Sequence, residues 1–462
     1  MRRSLLIPLI VACALFMENM DSTVISTSLP AIAADIGERA LALKLALTSY
    51  LVSLAVFIPI SGWMADRYGS RRVFAAAIVT FMIGSVLCAL ATTLPQFVLF
   101  RFLQGMGGAM MVPVGRLVLM RSIPKNEYVA ALNYLTIPAL MGPVIGPALG
   151  GAITLYAHWR WIFIVNVPIS VLGLYLVLRH IPDVREEENP PFDMRGFALS
   201  GFGLSVLMLG LSALGGHLLP TAVTAACIAA GTGVLLLYAR HALRMSHPVI
   251  NLRLFRLHTF SDGVLVGSLF RLGIQSTPFL LPLLFQLGFG LDPLQSGLLT
   301  CTTSLGALFV KTVTAKVIRR FGFRRVLVVN GTICALTVGM FAFFTLATPH
   351  VLIAIVLLLS GCLRSLQFTS LQALTFADIH APDMSQAASI SSMVQRLAQS
   401  LGIAVAAYVL QITSILHGHD AVAADDFPAT FIAIALIGLI APLLHRRLAP
   451  DAGVAVSGHG RS

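Results

Sequence analysis

Long apolar runs recur along almost the whole chain, and short turns that carry basic side chains join most of them. A run of about 20 apolar residues has the length that an α-helix needs to cross a hydrocarbon core about 30 Å thick. The runs are continuous, without the alternation over about ten residues that is typical of membrane β-barrel strands. The pattern therefore predicts an all-α membrane protein.

Fourteen runs are predicted to be transmembrane helices. Their ranges are 5–29, 43–65, 73–92, 95–119, 129–156, 161–179, 195–215, 219–240, 260–287, 294–316, 326–346, 350–376, 386–412 and 427–446. Hydrophobic residues make up 57% of the chain and charged residues only 11%, which excludes an ordinary soluble domain. Function must then reside in the few polar groups that lie inside the bilayer.

The net charge of +12 is interpreted as a topology signal, and no nucleic-acid partner is expected. Basic side chains concentrate in alternate turns, whereas the turns between them hold only Arg39, Lys44 and Arg160. By the positive-inside rule the basic turns face the cytoplasm. This predicts a multi-pass protein with both termini in the cytoplasm, which requires an even number of helices.

A short internal repeat predicts two related halves. Residues 65–72 read ADRYGSRR and residues 318–325 read IRRFGFRR, and each segment follows an apolar helix. The two segments become equivalent if helices 195–215 and 219–240 separate two six-helix halves. The predicted domains are a six-helix bundle at 1–190, two linker helices at 191–245, a second six-helix bundle at 246–448 and a cytoplasmic tail at 449–462.

Residues 62–72, GWMADRYGSRR, match the loop signature Gly-x-x-x-Asp-Arg-x-Gly of major facilitator transporters, although Ser70 replaces a commonly basic residue. Gly62 is expected to permit close helix contact and Gly69 to permit a tight turn. Asp66 can pair with a helix N-terminus or an arginine, which would form a breakable latch. The predicted latch residues are Gly62, Asp66, Arg67, Gly69 and Arg71.

Residues 138–151, PALMGPVIGPALGG, place small residues every four positions on one face of a helix. The segment matches the antiporter motif Gly-Pro-x-x-Gly-Pro-x-x-Gly-Gly, which is found in exporters much more than in importers. Its members are Gly142, Pro143, Gly146, Pro147, Gly150 and Gly151. The glycines are expected to seal the two halves against proton leak.

Three further segments resemble motifs of the fourteen-helix drug:proton antiporters, the EmrB/QacA-like family. They are MDSTVISTSLP at 20–30, RFLQGMGGA at 101–109 and WRWIFIVNVP at 159–168. In the first of them, Ser26 stands where asparagine is common. The resemblance implies the major facilitator fold with two additional central helices, proton-coupled drug efflux, and residence in the bacterial inner membrane. It also implies a transporter rather than an enzyme.

Two acidic residues and one arginine are the candidates for proton coupling. Glu18 and Asp21 lie three residues apart on one face of the first helix. A carboxylate inside the bilayer must be neutralised by a proton or by a basic partner, which makes it a natural proton carrier. Asp21 matches the family motif, Glu18 is accessory, and Arg101 is the basic partner that the resemblance implies. The alternative is that either acid only fixes helix packing through an arginine.

Basic residues outnumber acids in the predicted spans, so anionic and zwitterionic substrates are retained beside organic cations. Gln104, Arg271, Gln275 and Arg396 are the candidate substrate-cavity residues. An arginine there is suited to holding a carboxylate or phosphate. The alternative is that Arg271 and Arg396 bind only backbone carbonyls or lipid.

The sequence contains no GxxxxGK[ST] segment, so ATP is not the expected energy source. No cofactor is expected besides the proton gradient, and no metal site. His417 and His419 flank one glycine, a pattern interpreted as a solvated loop in preference to a metal site.

The expected function is multidrug or small-molecule efflux by a monomer whose partners are amphipathic or metabolite substrates, protons and membrane lipids. Two alternatives remain open: an importer or facilitator of a specific solute, and a non-transporting receptor on the same scaffold.

Overall fold

The structure, a computed structural model, describes residues 3–122, 128–183, 192–214, 220–245, 248–380, 383–419, 421–449 and 452–457. Regular secondary structure in these ranges is entirely helical. In the first part of the chain the α-helices are α1 (Arg3–Val24), α2 (Leu29–Ile36), α3 (Lys44–Tyr68), α4 (Ser70–Leu90), α5 (Leu94–Ser122), α6 (Tyr128–Tyr156), α7 (Trp161–Ile164), α8 (Asn166–His180), α9 (Met194–Ala213) and α10 (Thr221–Arg244). The remaining α-helices are α11 (His258–Ser261), α12 (Gly267–Ile274), α13 (Thr277–Leu283), α14 (Pro293–Phe309), α15 (Lys311–Met340), α16 (His350–Thr375), α17 (Met384–Leu416), α18 (Phe427–His445) and α19 (Val454–Ser457).

The chain divides into two compact units, with α1–α10 in the first and α11–α19 in the second. Helices α9 and α10, which correspond to the predicted linker helices, pack against each other, and α9 also packs against α3. The predicted boundary at residue 190 lies outside the described residues, as does half of the predicted tail, 450–451 and 458–462. The predicted domain boundaries therefore stay predictions.

Twelve helical segments in the described ranges are long and apolar enough to cross a membrane. Two more predicted spans correspond to shorter helices, the apolar helix Met141–Tyr156 within α6 and the 17-residue α14. A transmembrane helix satisfies its backbone hydrogen bonds internally, which is why continuous apolar runs fold this way in a bilayer. The prediction of an all-α membrane protein is confirmed, and the count of fourteen spans stays a prediction.

The two copies of the sequence repeat share a backbone feature. Gly69 separates α3 from α4 with φ of +93°, and Gly322 interrupts α15 with φ of +71°. Side chains disfavour this region of φ, so glycine is the residue suited to both positions. Each glycine breaks a helix at the equivalent turn of its unit, which agrees with two related halves.

Helix α1 does not continue unbroken to its predicted end at residue 29. It gives way to a 3₁₀ turn at Ile25–Thr27, and α2 begins after Ser28 with Pro30 in its first turn. Proline is tolerated there because the first N–H groups of a helix have no intrahelical partner. The break lies one turn after Asp21, so it sits beside the candidate proton site.

Predicted helix 260–287 is also divided. Two π-helical turns, Asp262–Val266 and Leu284–Gly288, flank α12 and α13, and the α-helical pattern stops at Gln275. Pro278 lies in the first turn of α13. The break precedes Pro278, as expected for a residue that starts a helix more readily than it continues one.

Candidate functional site

Four helices of the first unit place polar side chains at one point in its interior. Asp21 lies on α1, Arg101 and Gln104 lie three residues apart on α5, Ser85 lies on α4, and Asn166 is the first residue of α8. The spacing of three residues puts Arg101 and Gln104 on the same face of α5. These five residues are called the Asp21 network below.

Asp21 accepts hydrogen bonds at both carboxylate oxygens. Arg101 donates from Nη1 to Asp21 Oδ2 at 2.7 Å, which is also an ion pair. Gln104 Nε2 and Asn166 Nδ2 donate to Asp21 Oδ1 at 2.9 and 3.0 Å. Both oxygens of the carboxylate are therefore held by donors from α5 and α8.

The other members of the network are linked to each other as well. Arg101 Nη1 donates to Gln104 Oε1 at 2.6 Å, and Asn166 Nδ2 donates to Ser85 Oγ at 3.0 Å. Ser85 Oγ in turn donates to the carbonyl of Phe163 at 3.0 Å. Because each member holds the next, Asp21 and Arg101 are fixed in one relative position.

The ion pair is excluded from solvent, since the Asp21 side chain is 0% exposed and the Arg101 side chain 1%. Removal of either partner would leave a buried charge without compensation, which is strongly unfavourable. Protonation of Asp21 has the same effect, because it neutralises the carboxylate and leaves Arg101 charged. A change that neutralised the Asp21 carboxylate would therefore alter the force between α1 and α5.

Two buried polar atoms of the network have no hydrogen-bond partner among the described residues. They are Arg101 Nε, a donor, and Asn166 Oδ1, an acceptor. Buried polar atoms of this kind are the ones that an ordered water satisfies. They belong to the residues that donate to opposite oxygens of Asp21, Arg101 to Oδ2 and Asn166 to Oδ1.

Glu18 is almost completely buried, with 1% of its surface exposed, and it lies one turn before Asp21 on α1. A Cβ added at Gly108 of α5 would stand 3.6 Å from Glu18 Cγ and 2.9 Å from the Tyr50 hydroxyl. The Tyr50 ring lies under the Arg101 guanidinium, 4.2 Å from ring centroid to Cζ. Tyr50, which was not singled out from the sequence, therefore lies near Gly108 with its hydroxyl, as Glu18 does, and contacts Arg101 with its ring.

The small residues of α6 pack against α1. A Cβ at Gly142 would lie 2.9 Å from the Met20 nitrogen, and Cβ atoms at Gly146 and Gly150 would overlap Thr23 and Val24. Thr27 donates a hydrogen bond to the carbonyl of Pro147 at 3.2 Å. These contacts lie within the first unit and hold the helix that carries Asp21. The role of the motif as a seal between the halves stays a prediction.

The profile of the Major Facilitator Superfamily matches residues 11–406 and 263–458. The chain is also 38% identical over 448 residues to the protein named "Putative multidrug resistance protein MdtD" in Cronobacter sakazakii, covering 96% of this chain and 94% of that one. The protein of the same name in Pectobacterium atrosepticum is 38% identical over 448 residues, covering 96% and 95%. This chain belongs to the Major Facilitator Superfamily.

A solved structure of the superfamily's fold agrees with this assignment. A D-xylose–proton symporter superposes with a TM-score of 0.68 at 16% sequence identity, covering 97% of this chain and 98% of that one. At that identity the likeness shows the fold alone. The assignment makes the protein a multi-pass membrane transporter rather than an enzyme, as expected from the sequence.

The signature at 159–168 also belongs to the first unit of this major facilitator protein. Arg160 Nη1 and Trp159 Nε1 donate to Asp35 Oδ2 at 2.7 and 3.0 Å. These bonds tie the start of α7 to the end of α2. Asn166, which binds Asp21, lies seven residues after Trp159 in the same signature.

The superfamily loop signature is partly explained by the structure. Gly69 forms the expected turn, and Arg72 beyond it makes an ion pair with Asp183 at 3.2 Å. Gly62 does not provide the expected close helix contact, because a Cβ added there would meet no described atom within 4 Å. Asp66 is half-buried, and Arg67 is exposed. The latch role of this loop, including Arg71, stays a prediction.

The four candidate cavity residues have different environments. Gln104 is 0% exposed and donates to the Asp21 carboxylate, and its place in a substrate cavity stays a prediction. Arg271 is buried in the second unit and donates to the Gly263 carbonyl at 3.3 Å, with Nε and Nη2 unsatisfied among the described residues. Gln275, one turn later, has an unsatisfied Oε1 there. Arg396 is half-buried on α17.

A second, shorter sequence repeat relates the two units. Residues 101–104 read RFLQ on α5, and residues 364–367 read RSLQ on α16. Gln104 donates to Ser85, whereas Gln367 accepts a 2.9 Å hydrogen bond from Asn330. The two units therefore share an arginine–glutamine pair, and only the first shows a carboxylate bound to it in the described residues.

A buried acid–base pair in the second unit was also missed. His445 Nδ1 lies 2.7 Å from Asp262 Oδ2, and the His445 side chain is 0% exposed. The two residues are 183 positions apart in the sequence. No short motif signals such a pair, since the tertiary fold alone brings it together.

Proposed function

We propose that this protein is a proton-coupled exporter of small amphipathic molecules, with Asp21 as the residue that carries the coupling proton. The observation that supports the proposal is the buried ion pair between Asp21 and Arg101 at 2.7 Å, surrounded by Gln104 and Asn166. A membrane-embedded carboxylate with a single arginine partner has two well-defined states, ionised and paired or protonated and released.

In this mechanism a proton binds Asp21 Oδ2 and displaces Arg101 from it. Gln104 and Asn166 can remain hydrogen-bonded to Oδ1, so the neutral acid keeps part of its surroundings. Arg101 stays protonated, because guanidinium is too basic to give up its proton in exchange. The charge released on Arg101 is the change that would bias the transporter between its access states, and Glu18 is an accessory acid on the same face of α1.

Export is favoured over import by the sequence of α6. The segment GPVIGPALGG matches a motif of exporters, and the relatives that are 38% identical carry the name of a multidrug resistance protein. The glycines of this motif contact α1 directly, with no side chain between the two helices. A change at α1 on proton binding to Asp21 would therefore be transmitted to α6. We further place the protein in the bacterial inner membrane with both termini in the cytoplasm.

The substrate class that the second unit favours is anionic or zwitterionic. Arg271 is 2% exposed, and two of its nitrogens have no partner among the described residues, so a ligand carboxylate or phosphate would satisfy them. Gln275 Oε1 offers a neighbouring acceptor one turn away. Phe368, whose ring centroid is 5.8 Å from the Arg271 guanidinium, supplies an apolar surface for an amphipathic ligand.

The deciding experiment measures proton release from purified protein when cations, neutral compounds and anions are added in turn. We expect the wild-type protein to release protons when a transported compound binds, and we expect the Asp21→Asn variant to release none. Proton release of equal size from that variant would remove Asp21 from the coupling step. A panel in which compounds bind and move down their own gradients without proton release would favour a facilitator instead.

A further inference from the structure

We propose that His417, His419 and Asp426 form a binding site for a divalent transition metal, Zn²⁺ in the first instance. The three residues lie in the second unit, where α17 ends at Leu416 and α18 begins at Phe427. Two imidazoles and one carboxylate are a ligand set that zinc commonly accepts, with water in the fourth position. Their donor atoms all lie within 4.8 Å of one another.

The local backbone explains why two histidines converge. Gly418 adopts φ of +74°, and it reverses the chain at the end of α17. The His417 nitrogen donates to the Thr413 carbonyl at 3.0 Å, and the His419 nitrogen donates to the Ser414 carbonyl at 2.9 Å. These bonds are those of a helix end closed by a left-handed glycine. They orient both histidine side chains before any ligand binds.

Asp426 is held in place from the other side of the loop. Its side chain is 0% exposed, and Oδ2 accepts a hydrogen bond from the Ala423 nitrogen at 2.9 Å. The Thr413 hydroxyl, on α17, donates to the Asp426 carbonyl at 2.9 Å. The carboxylate is thus fixed by a backbone donor outside the ligand set, which is the arrangement that orients ligands in metal sites.

The same nitrogen of each histidine points at the carboxylate. His417 Nδ1 lies 2.7 Å from Asp426 Oδ1, and His419 Nδ1 lies 3.0 Å from Oδ1 and 3.2 Å from Oδ2. Zinc binds imidazole nitrogen and carboxylate oxygen at about 2.0–2.2 Å, so tetrahedral ligands stand roughly 3.3–3.5 Å apart. Separations of 2.7–3.2 Å between nitrogen and oxygen therefore need to widen by about 0.1–0.8 Å to reach that geometry.

Solvent reaches the two imidazoles but not the carboxylate. The side chain of His417 is 46% exposed and that of His419 is 33% exposed, whereas that of Asp426 is buried. A metal ion can therefore enter from the imidazole side and meet a fixed negative charge. On binding, each neutral imidazole carries its proton on Nε2 and donates the Nδ1 lone pair, so the site keeps one carboxylate charge for a divalent ion.

A metal ion bound at this site would fix the loop that joins α17 to α18, the last two long helices of the second unit. The sequence alone favoured a solvated loop at His417 and His419, because the third ligand, Asp426, lies seven residues beyond His419. The turn faces the outside in the predicted topology, so the ion would come from the exterior. Bound metal would restrain α17 against α18, which makes the loop sensitive to external zinc.

The test is zinc binding to the full-length purified protein in detergent, measured by competition with a chromophoric chelator. We expect one Zn²⁺ per chain and a rise in melting temperature with zinc. His417→Ala, His419→Ala and Asp426→Asn should each weaken binding by at least about 100-fold, because even loss of an outer-shell partner costs roughly 10–100-fold. His350→Ala, which removes an exposed histidine at the start of α16, is the matched control and should bind like the wild type.

Cobalt gives a second readout that does not depend on stability. Co²⁺ bound to two imidazoles, a carboxylate and water should show the intense visible bands of a four-coordinate ion, and these bands should be lost in His417→Ala and His419→Ala. Equal zinc affinity in the wild type and all three ligand variants would overturn the proposal. So would a wild-type protein that binds no zinc at micromolar concentrations while the loop remains folded.

Discussion

Asp21→Asn is the substitution that most directly tests the coupling mechanism. Asparagine has nearly the shape of aspartate, and it keeps an acceptor for Gln104 and Asn166, which bind Oδ1 at 2.9 and 3.0 Å. It cannot hold a proton at this position or carry a negative charge. The change therefore removes the proposed proton carrier while disturbing the packing of α1 as little as possible.

The magnitude of the structural cost follows from the burial of the pair. Asp21 and Arg101 are 0% and 1% exposed, and the substitution leaves the arginine charge without compensation. Breaking a buried ion pair by removing one partner costs about 3–5 kcal/mol. The variant is therefore expected to be less stable than the wild type, and the protein must be shown to remain folded before a loss of transport is interpreted.

A double variant separates the two effects. Asp21→Asn combined with Arg101→Gln removes both charges, so the double variant should recover most of the stability that Asp21→Asn loses. The changes in unfolding free energy of the two single variants should therefore not add up to that of the double variant. Transport should not recover, because the proton carrier is still missing. Asp35→Asn is the matched control: it removes a carboxylate that is 34% exposed and paired with Arg160, which costs about 0–1 kcal/mol.

The assay is pH-driven substrate exchange in proteoliposomes, with melting temperature measured on the same preparations. We expect exchange at the level of protein-free liposomes for Asp21→Asn and for the double variant, and near wild-type exchange for Asp35→Asn. Full proton-coupled exchange by a folded Asp21→Asn protein would refute the reasoning. An equal loss of exchange in Asp35→Asn would show that the assay reports general damage to α1 and α2.

Three other residues give independent predictions. Gly146→Ala places a Cβ in overlap with α1 and should destabilise the protein by about 1–3 kcal/mol. Gly233→Ala is the control, because the added Cβ enters open space. Equal melting temperatures of the two variants would contradict the packing argument. Asp66→Asn should shift the population from outward-open toward inward-open, measured with a distance label pair on the cytoplasmic face, and an unchanged distribution would leave the loop with a topological role only. Arg271→Gln should weaken binding of anionic ligands by about tenfold or more and leave cations unaffected, because a hydrogen bond to a charged group is worth about 1.5–3 kcal/mol. Unchanged anion affinity in competition binding would exclude this arginine from the substrate site.

Much of the architecture could be predicted from the chain alone. Continuous apolar runs become helices in a bilayer because no water is present to satisfy an open backbone, so length and composition are sufficient to locate most spans. Gly69 and Gly322 could be paired from their sequence context, and both adopt positive φ because the same turn needs a residue without a Cβ. Asp21 and Arg101 could be chosen because a charge inside a membrane is costly and must have a reason to be there.

The partners of those charges were decided by the tertiary structure. Gln104 was expected in a cavity and donates to the Asp21 carboxylate, while Asn166 reaches Asp21 from 145 residues away. Asp262 and His445 form a buried pair across 183 residues. Side-chain contacts between helices depend on rotation and depth within the bundle, which short motifs do not encode. The sequence therefore determined which residues carry charge into the membrane, and helix packing determined which atoms meet.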